Sequence, residues 1–304
     1  MSASPDAVSV SPDRVSVSPE RATAVRAAAA GELGGEPLLS VRGLRISVAD
    51  GSEVVHGVDF GIPRGSAVGL VGESGSGKTL TCRAVLGLLP AGVEVTGGEI
   101  SLRGTELTTL PAAGRARLRG TDLAAVFQDP ASYLNPSITV GAQLAEVLRV
   151  KVGLARRAAR HRAVELLHAM GLRRPEHVYA QYPFELSGGM LQRVLIAMSI
   201  TAEPELLIAD EATTALDVTV QAEVLELLTE LRRDRGLTLI VVSHDLAVIS
   251  QMCDTVHVFR DGGIVEAGPT RQVLRAPRHP YTRELIDNHE RFGIDRVREQ
   301  RSRR

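Results

Sequence analysis

The chain has 304 residues, 44% of them apolar, with a formal net charge of -1. That length exceeds the usual single domain, although one domain carrying a subdomain also fits it, and the balanced charge gives no global signature of nucleic-acid binding. No apolar run approaches the ~18 to 20 residues needed to span a bilayer and the N-terminus lacks the apolar core of a signal peptide, so any membrane role is expected to come through partners. The two cysteines, Cys82 and Cys253, are isolated in sequence and support neither a disulfide framework nor a Cys-based metal site; reduced, free thiols in cytoplasm are expected.

Residues 1–37 form a compositional region of their own. Val8-Ser9-Val10-Ser11-Pro12-Asp13-Arg14 is followed at once by Val15-Ser16-Val17-Ser18-Pro19-Glu20-Arg21, and an Ala/Gly stretch comes next. Each repeat is cut by proline and offers little apolar surface, so a disordered low-complexity tail is expected. From Leu38 the pattern changes to short strands and hairpins, with Leu44 to Val48, Val54 to Ile62 and Glu99 to Leu102 as candidates. Between them, Ala67 to Val71 reads as a short buried strand. Thr79 to Leu89 has Leu80, Ala84, Val85 and Leu88 at helical spacing, with Pro90 as the expected stop.

The segment joining that strand to that helix is Gly72-Glu73-Ser74-Gly75-Ser76-Gly77-Lys78-Thr79, with Leu80 following. It fits G-x-x-x-x-G-K-[ST], a loop whose backbone N–H groups cradle phosphates while lysine reaches the β/γ-phosphates and the hydroxyl of Thr79 ligates Mg²⁺. Only two of the 35 basic residues are lysines. Lys78 therefore marks a position that requires a compact ammonium. The helix that follows points its positive end at the same place.

Residues from about 131 to 190 differ again. Gly141 to Leu148 and Ala155 to Met170 carry helical apolar spacing, and the arginines at 156, 157, 160 and 162 read as a solvated face. Beyond them strands and helices alternate: Leu206 to Ala209, Val218 to Leu231, Leu237 to Val242, Leu246 to Cys253 and Thr255 to Phe259. Such alternation predicts an α/β fold, a parallel sheet covered by helices, with the phosphate loop at its carboxyl end.

Several polar groups sit where those strands end. Leu206 to Ala209 leads into Asp210 and Glu211. Asp210 suits a cation held at the phosphate loop, and Glu211 suits a general base that orients water toward a γ-phosphate. Gln128 follows Val126-Phe127, and His244 follows Val241-Val242-Ser243; each can point toward the same phosphates. Ser187, Gly188 and Gly189 stand before a helical stretch running through Ala202, a second anion-binding surface without a lysine of its own. Asp217 reads locally as a helix N-cap.

The octet Leu186-Ser187-Gly188-Gly189-Met190-Leu191-Gln192-Arg193 matches the signature sequence of ABC ATPases. From about Leu38 to about Ile286 the chain resembles the ATP-binding subunit of ABC importers in the dipeptide, oligopeptide and nickel group. The likeness rests also on Phe127-Gln128-Asp129-Pro130 with Leu134-Asn135-Pro136, on Thr213-Thr214-Ala215-Leu216-Asp217-Val218-Thr219-Val220-Gln221 and on His279-Pro280-Tyr281-Thr282. Leu80-Thr81-Cys82, Tyr182-Pro183-Phe184-Glu185 and Met190-Leu191-Gln192-Arg193 look nearest to the nickel-import subtype.

That resemblance implies a P-loop NTPase core of the RecA type, an antiparallel β-subdomain and an inserted α-helical subdomain, at about 131–190, carrying the signature. The ATPase domain would occupy 38–288 and a basic tail 289–304. It implies ATP and Mg²⁺ as ligands, with Gly72, Glu73, Ser74, Gly75, Ser76, Gly77, Lys78, Thr79, Leu80, Ser187, Gly188, Gly189, Gln192 and Asp217 around the nucleotide. Thr79, Gln128 and Asp210 would serve the metal, and Glu211, His244 and Gln128 the hydrolysis. Implied partners are a second, distinct ATPase subunit, two transmembrane permease subunits and an extracytoplasmic binding protein, at the cytoplasmic face of the cell membrane, with no nucleic acid. The competing class is a soluble ABC ATPase acting on DNA or ribosomes. Against it, one phosphate loop and one signature are present, and only about 58 residues separate Gln128 from Ser187, too few for the long coiled coil of the DNA-repair members. Three departures from the family pattern stand out: Val48 where an adenine-stacking aromatic is common, Ala212 where proline usually follows the catalytic glutamate, and the serine-rich N-terminal tail, which matches no part of that pattern.

Overall fold

The computed structural model describes residues 36–212 and 216–289. The repeat-bearing tail through residue 35, the basic tail from residue 290 and Thr213 to Ala215 lie outside the described residues. Two sheets organise the rest. One is antiparallel, with order β2-β1-β4-β5, built from β1 (Leu39–Val48), β2 (Glu53–Ile62), β4 (Val93–Leu102) and β5 (Thr105–Glu106). The other has order β10-β9-β3-β8-β7-β6, from β3 (Ala67–Val71), β6 (Leu123–Val126), β7 (Leu206–Asp210), β8 (Thr238–Val242), β9 (Thr255–Arg260) and β10 (Gly263–Pro269). Neighbours from β9 through β6 pair in parallel, and β10 closes one edge antiparallel to β9.

Every residue of β3, β7 and β8 is buried. Strands covered on both faces must be apolar throughout, which is why these three were readable as continuous runs. Their side chains alternate between two cores. Val68, Leu70, Ile208, Ile240 and Val242 pack with Leu39, Ile46 and Ile100 of the antiparallel sheet and with Cys82 and Val85 of helix α1 (Lys78–Leu86). Val71, Leu207, Ala209, Leu239 and Val241 pack on the other side with the helices that carry Val194, Val224 and Ile249.

The segment between β6 and β7 is helical, as its spacing predicts. After helix α2 (Ala112–Leu118), which precedes β6, come α3 (Val140–Val147), a π-helical turn at Leu148–Val152, α4 (Arg156–Ala169), α5 (Pro175–Ala180) and α6 (Gly188–Ser199). Leu144, Leu148, Ala163, Leu166, Leu167 and Val178 fill their interior, in one cluster with the sheet residues Leu207 and Leu239. Arg156, Arg157 and Arg160 are exposed, as expected of a solvated face. After β7 follow α7 (Val218–Arg235), α8 (Leu246–Met252), α9 (Thr270–Arg275) and a helix α10 at 280–289.

One local expectation is corrected. Helix α1 ends at Gly87, not at Pro90. Gly87 takes φ +64°, its N–H bonds Ala84 O at 3.0 Å and the Leu88 N–H bonds Arg83 O at 2.8 Å. A left-handed glycine cap stops the helix before proline is reached.

Burial also sets a pH response. His257 of β9 is 4% exposed, packs its ring 5.5 Å from that of Phe60, and has no partner for Nδ1. Burial lowers its pKa from 6.5 to about 4. Below about pH 6.5 the unfolded chain takes up a proton that the folded chain refuses, so this contribution to stability is whole above that pH and is lost as pH falls toward 4. Between about pH 7.5 and about pH 5 the loss is on the order of 2 kcal/mol. Urea unfolding at the two pH values should show it, and a His257→Leu variant should show a shallower drop; an equal drop in both would assign the effect elsewhere. The two cysteines are buried and free, and burial raises the Cys253 thiol to about 12, so both remain protonated and inert.

Candidate nucleotide site

The carboxyl ends of β3, β7 and β8 deliver the charged groups to one place. After Val71 the chain turns through Gly72 at φ +140°, where an added Cβ would lie 2.1 Å from Phe259 O. Only glycine lets the loop pass that strand. Gly75 and Gly77 also take positive φ, Ser74 and Gly75 are exposed, and Gly262 N–H bonds Ser76 O at 3.2 Å, tying the loop to the β9–β10 turn. Gly77 caps α1, and Lys78 is its first residue.

Lys78 is 6% exposed, yet its ammonium is well supplied. Nζ donates to Gly72 O at 2.8 Å, Glu73 O at 2.7 Å and Ser76 Oγ at 3.1 Å. Burial lowers its pKa, while Glu211 and Asp210 act in the opposite direction. Thr79 Oγ1 donates to Asp210 Oδ1 at 3.2 Å, across 131 residues of sequence. Asp210 is 5% exposed; burial raises its pKa, and the Thr79 hydrogen bond counteracts that. A buried carboxylate and a hydroxyl converging at a phosphate loop are the hard-oxygen donors that Mg²⁺ takes, with waters and phosphates supplying the rest. Among the described residues no group of three or more His, Cys, Asp or Glu could hold a metal by itself. Leu80 contributes differently from its loop neighbours, since its side chain packs on the antiparallel-sheet core.

Glu211 stands one residue beyond the strand at φ +51°, with its N–H on Val242 O at 3.0 Å. Its carboxylate approaches His244 Nδ1 at 3.8 Å. Ala212 matters here, because a residue preceding proline is pushed away from helical conformations and Glu211 is under no such restraint. His244 itself is 60% exposed, and the chain then enters α8 through Asp245, whose Oδ1 accepts Ala247 N–H at 2.8 Å. Gln128 is exposed two residues beyond β6, next to Phe127, whose ring stacks on that of Tyr133 at 5.4 Å. Val48 ends β1 opposite Val93, an aliphatic pair.

The signature segment is assembled elsewhere. Ser187 caps α6, accepting Met190 N–H at 3.4 Å, and both Ser187 and Gly188 are exposed. A Cβ on Gly188 would meet Leu216 at 3.7 Å, and one on Gly189 would overlap Val220 at 2.2 Å. Asp217 caps α7 through Val220 N–H at 3.0 Å, as its local pattern predicts. Ser187, Gly188 and Asp217 therefore form one surface at the meeting of α6 and α7, with Gly189 buried beneath it against Val220, while Lys78, Thr79, Asp210, Glu211 and His244 form another group. Gln192 is placed unlike the rest: it is 1% exposed, with Nε2 unpartnered, inside the helical core. In this state it is a core group and not a surface that a nucleotide meets.

One residue of the loop's surroundings has no sequence signal of its own. Tyr281 Oη accepts the N–H of Glu73 at 3.0 Å from 208 residues away. Nothing in local spacing announces that contact.

A family model described as ABC transporter matches residues 55–214. The chain is 43% identical over 265 residues to the probable D,D-dipeptide transport ATP-binding protein DdpD of Escherichia coli strain K12, covering 86% of this chain and 81% of that one. It is 40% identical over 264 residues to the dipeptide transport ATP-binding protein DppD of Haemophilus influenzae, covering 86% and 80%. Among solved structures, cbiO1 of Clostridium perfringens, described as part of the ABC transporter complex cbiONQ, superposes with a TM-score of 0.68 at 27% identity, over 80% of this chain and 97% of that chain. The dimeric ATP-binding cassette MJ0796 in a post-hydrolysis state, bound to ADP and Pi, gives a TM-score of 0.68 at 26% identity, over 77% and 99%.

Proposed function

The chain belongs to the ATP-binding subunits of ABC transporters, and from that premise we propose that it drives import of short peptides by hydrolysing ATP at sites completed by a second ATPase subunit. The activity class is a transport ATPase; the peptide cargo and the assembly are the proposal. The observation that carries it is the division of the site into two surfaces. Lys78 is held to the phosphate loop at Gly72 O and Thr79 is hydrogen-bonded to Asp210, whereas Ser187, Gly188 and Gly189 have Met190, Leu216 and Val220 as their neighbours. A phosphate chain held by the first surface has an open side. A partner's copy of the second, an exposed helix N-terminus lined by glycine, suits that side.

In this reading the exposed N–H groups of the loop and Lys78 bind the phosphates. Thr79 and Asp210 hold Mg²⁺, which when bound neutralises phosphate charge, and Gln128 is the further ligand assigned to it. Glu211 orients a water and takes its proton; His244, within 3.8 Å of that carboxylate, faces the same phosphate. Asp217 borders the partner's site. Binding favours the closed pair and hydrolysis the open one, a population shift passed to two permease subunits. The partner is a related but distinct ATPase subunit, and a binding protein outside the membrane delivers cargo. Among the described residues no helix is long and apolar enough to cross a membrane; in this reading the permease subunits hold the chain at the cytoplasmic face.

The cargo class rests on relatives named for dipeptides and peptides. The test is reconstitution of the complex with permeases and binding protein in lipid, with ATP turnover measured against added dipeptide or Ni²⁺. Stimulation by dipeptide is expected. Stimulation by Ni²⁺ alone would replace the cargo assignment by the nickel one, and co-purification with ribosomes or DNA in place of membrane subunits would overturn the transport assembly.

A further inference from the structure

The phosphate loop is held at its first peptide by a segment from the far end of the chain. After β10 the backbone folds back, and the Glu266 carboxylate, 8% exposed, accepts two consecutive N–H groups, Arg278 at 2.9 Å and His279 at 3.0 Å. Tyr281 N–H then donates to His279 Nδ1 at 3.2 Å. These bonds fix the start of α10 and bury Tyr281 to 3% exposure. The Arg260 guanidinium lies over its ring, 4.7 Å from the centroid, which adds a cation–π contact and fixes the ring's tilt.

What the ring presents to the loop is its hydroxyl. The bond runs from Glu73 N–H to Tyr281 Oη, and that N–H belongs to the same peptide unit as Gly72 C=O. Gly72 O accepts Lys78 Nζ. A single peptide plane is thus gripped at both ends, by the phenol at its N–H and by the ammonium at its carbonyl. Hydrogen bonds in such a chain polarise one another, and a fixed plane fixes the direction in which its carbonyl holds the lysine. Gly72 cannot supply that rigidity alone, because glycine has no Cβ to limit its backbone torsions.

We propose that Tyr281 is a positioning residue for ATP binding: through the Gly72–Glu73 peptide it sets the place of Lys78, and so the affinity of the loop for the nucleotide's phosphates. It acts through the loop backbone, at the Glu73 N–H. The effect therefore falls on binding and spares the chemical step carried by Glu211. Burial raises the Tyr281 phenol above its ordinary value, so the hydroxyl stays protonated across the physiological range and the effect is independent of pH there.

This inference rests on the ATPase reading, and the experiment separates the two. The full chain is titrated with a fluorescent ATP analogue, and ATP turnover is measured in the reconstituted complex, for the parent and for Tyr281→Phe, which keeps the ring under Arg260 and removes only the hydroxyl. Expected are a rise in Kd and KM of roughly 2- to 10-fold, the worth of one neutral hydrogen bond, and kcat at saturating ATP within about twofold of the parent. An Asp287→Ala control, at an exposed position of the same helix, should leave Kd unchanged. If Tyr281→Phe fails to fold, Glu266→Gln, which turns one acceptor into a donor at the anchor of this segment, carries the same expectation. Unchanged Kd, or a fall in kcat with Kd constant, overturns the role of Tyr281. A parent chain that does not bind ATP overturns the reading of the site itself.

Discussion

Replacing Glu211 by glutamine is expected to leave ATP binding within a few-fold of the parent and to lower turnover by about 10²- to 10⁴-fold, the range of a lost general base. The substitution keeps the shape of the side chain at a position where the backbone is already unusual, φ +51°, and keeps the N–H bond to Val242 O. It removes the group that accepts a proton. Binding should persist because the phosphates are held by the loop and Lys78, which the change does not touch. With binding intact and release of the interface blocked, the variant should accumulate as an ATP-bound pair with its partner subunit, visible by size-exclusion chromatography with ATP and absent with ADP. Rapid turnover by this variant would remove Glu211 from the role of base.

The second large effect concerns Lys78. Lys78→Ala is expected to weaken ATP by roughly 10- to 150-fold, the loss of one charged hydrogen bond, and to suppress hydrolysis further, since phosphoryl transfer depends on positioning and charge stabilisation. The loop should survive the change. Gly262 N–H still holds Ser76 O, Tyr281 still holds Glu73 N–H, and Gly72 still fits against Phe259. Titration with a fluorescent ATP analogue beside a thermal melt tests both halves. Unaltered affinity with a normal melt would contradict the role given to the ammonium.

Much of this site was legible because its chemistry is local. Strands β3, β7 and β8 announce themselves as unbroken apolar runs; Asp210 and His244 stand at or within two residues of the ends of β7 and β8, and Lys78 closes the glycine-rich loop that follows β3. The same logic found α3 and α4 to within a residue or two. It failed where a polar residue is buried for a distant reason. Glu266 in the middle of β10 has no local signal that marks it, yet it is buried and accepts two N–H groups, from 278 and 279. Gln192 reads as a nucleotide contact beside the glycines, yet its helix turns it inward. Tyr281 reads only as part of a family likeness, because a contact spanning 208 residues leaves no periodicity to detect. Helix α2 was missed for a different reason, since none of its residues is buried and its sequence carries no apolar stripe.

The three oxygens around Lys78 Nζ have a consequence for which molecules can occupy the loop. The cation has two carbonyls and a hydroxyl as partners, so a competing group gains only the margin by which it exceeds them. Nucleosides bring no anion and have nothing to offer in that contest, whereas a polyphosphate brings charge-assisted bonds about twice as strong. Discrimination against uncharged metabolites is thus built into the resting arrangement, without any side chain dedicated to rejecting them.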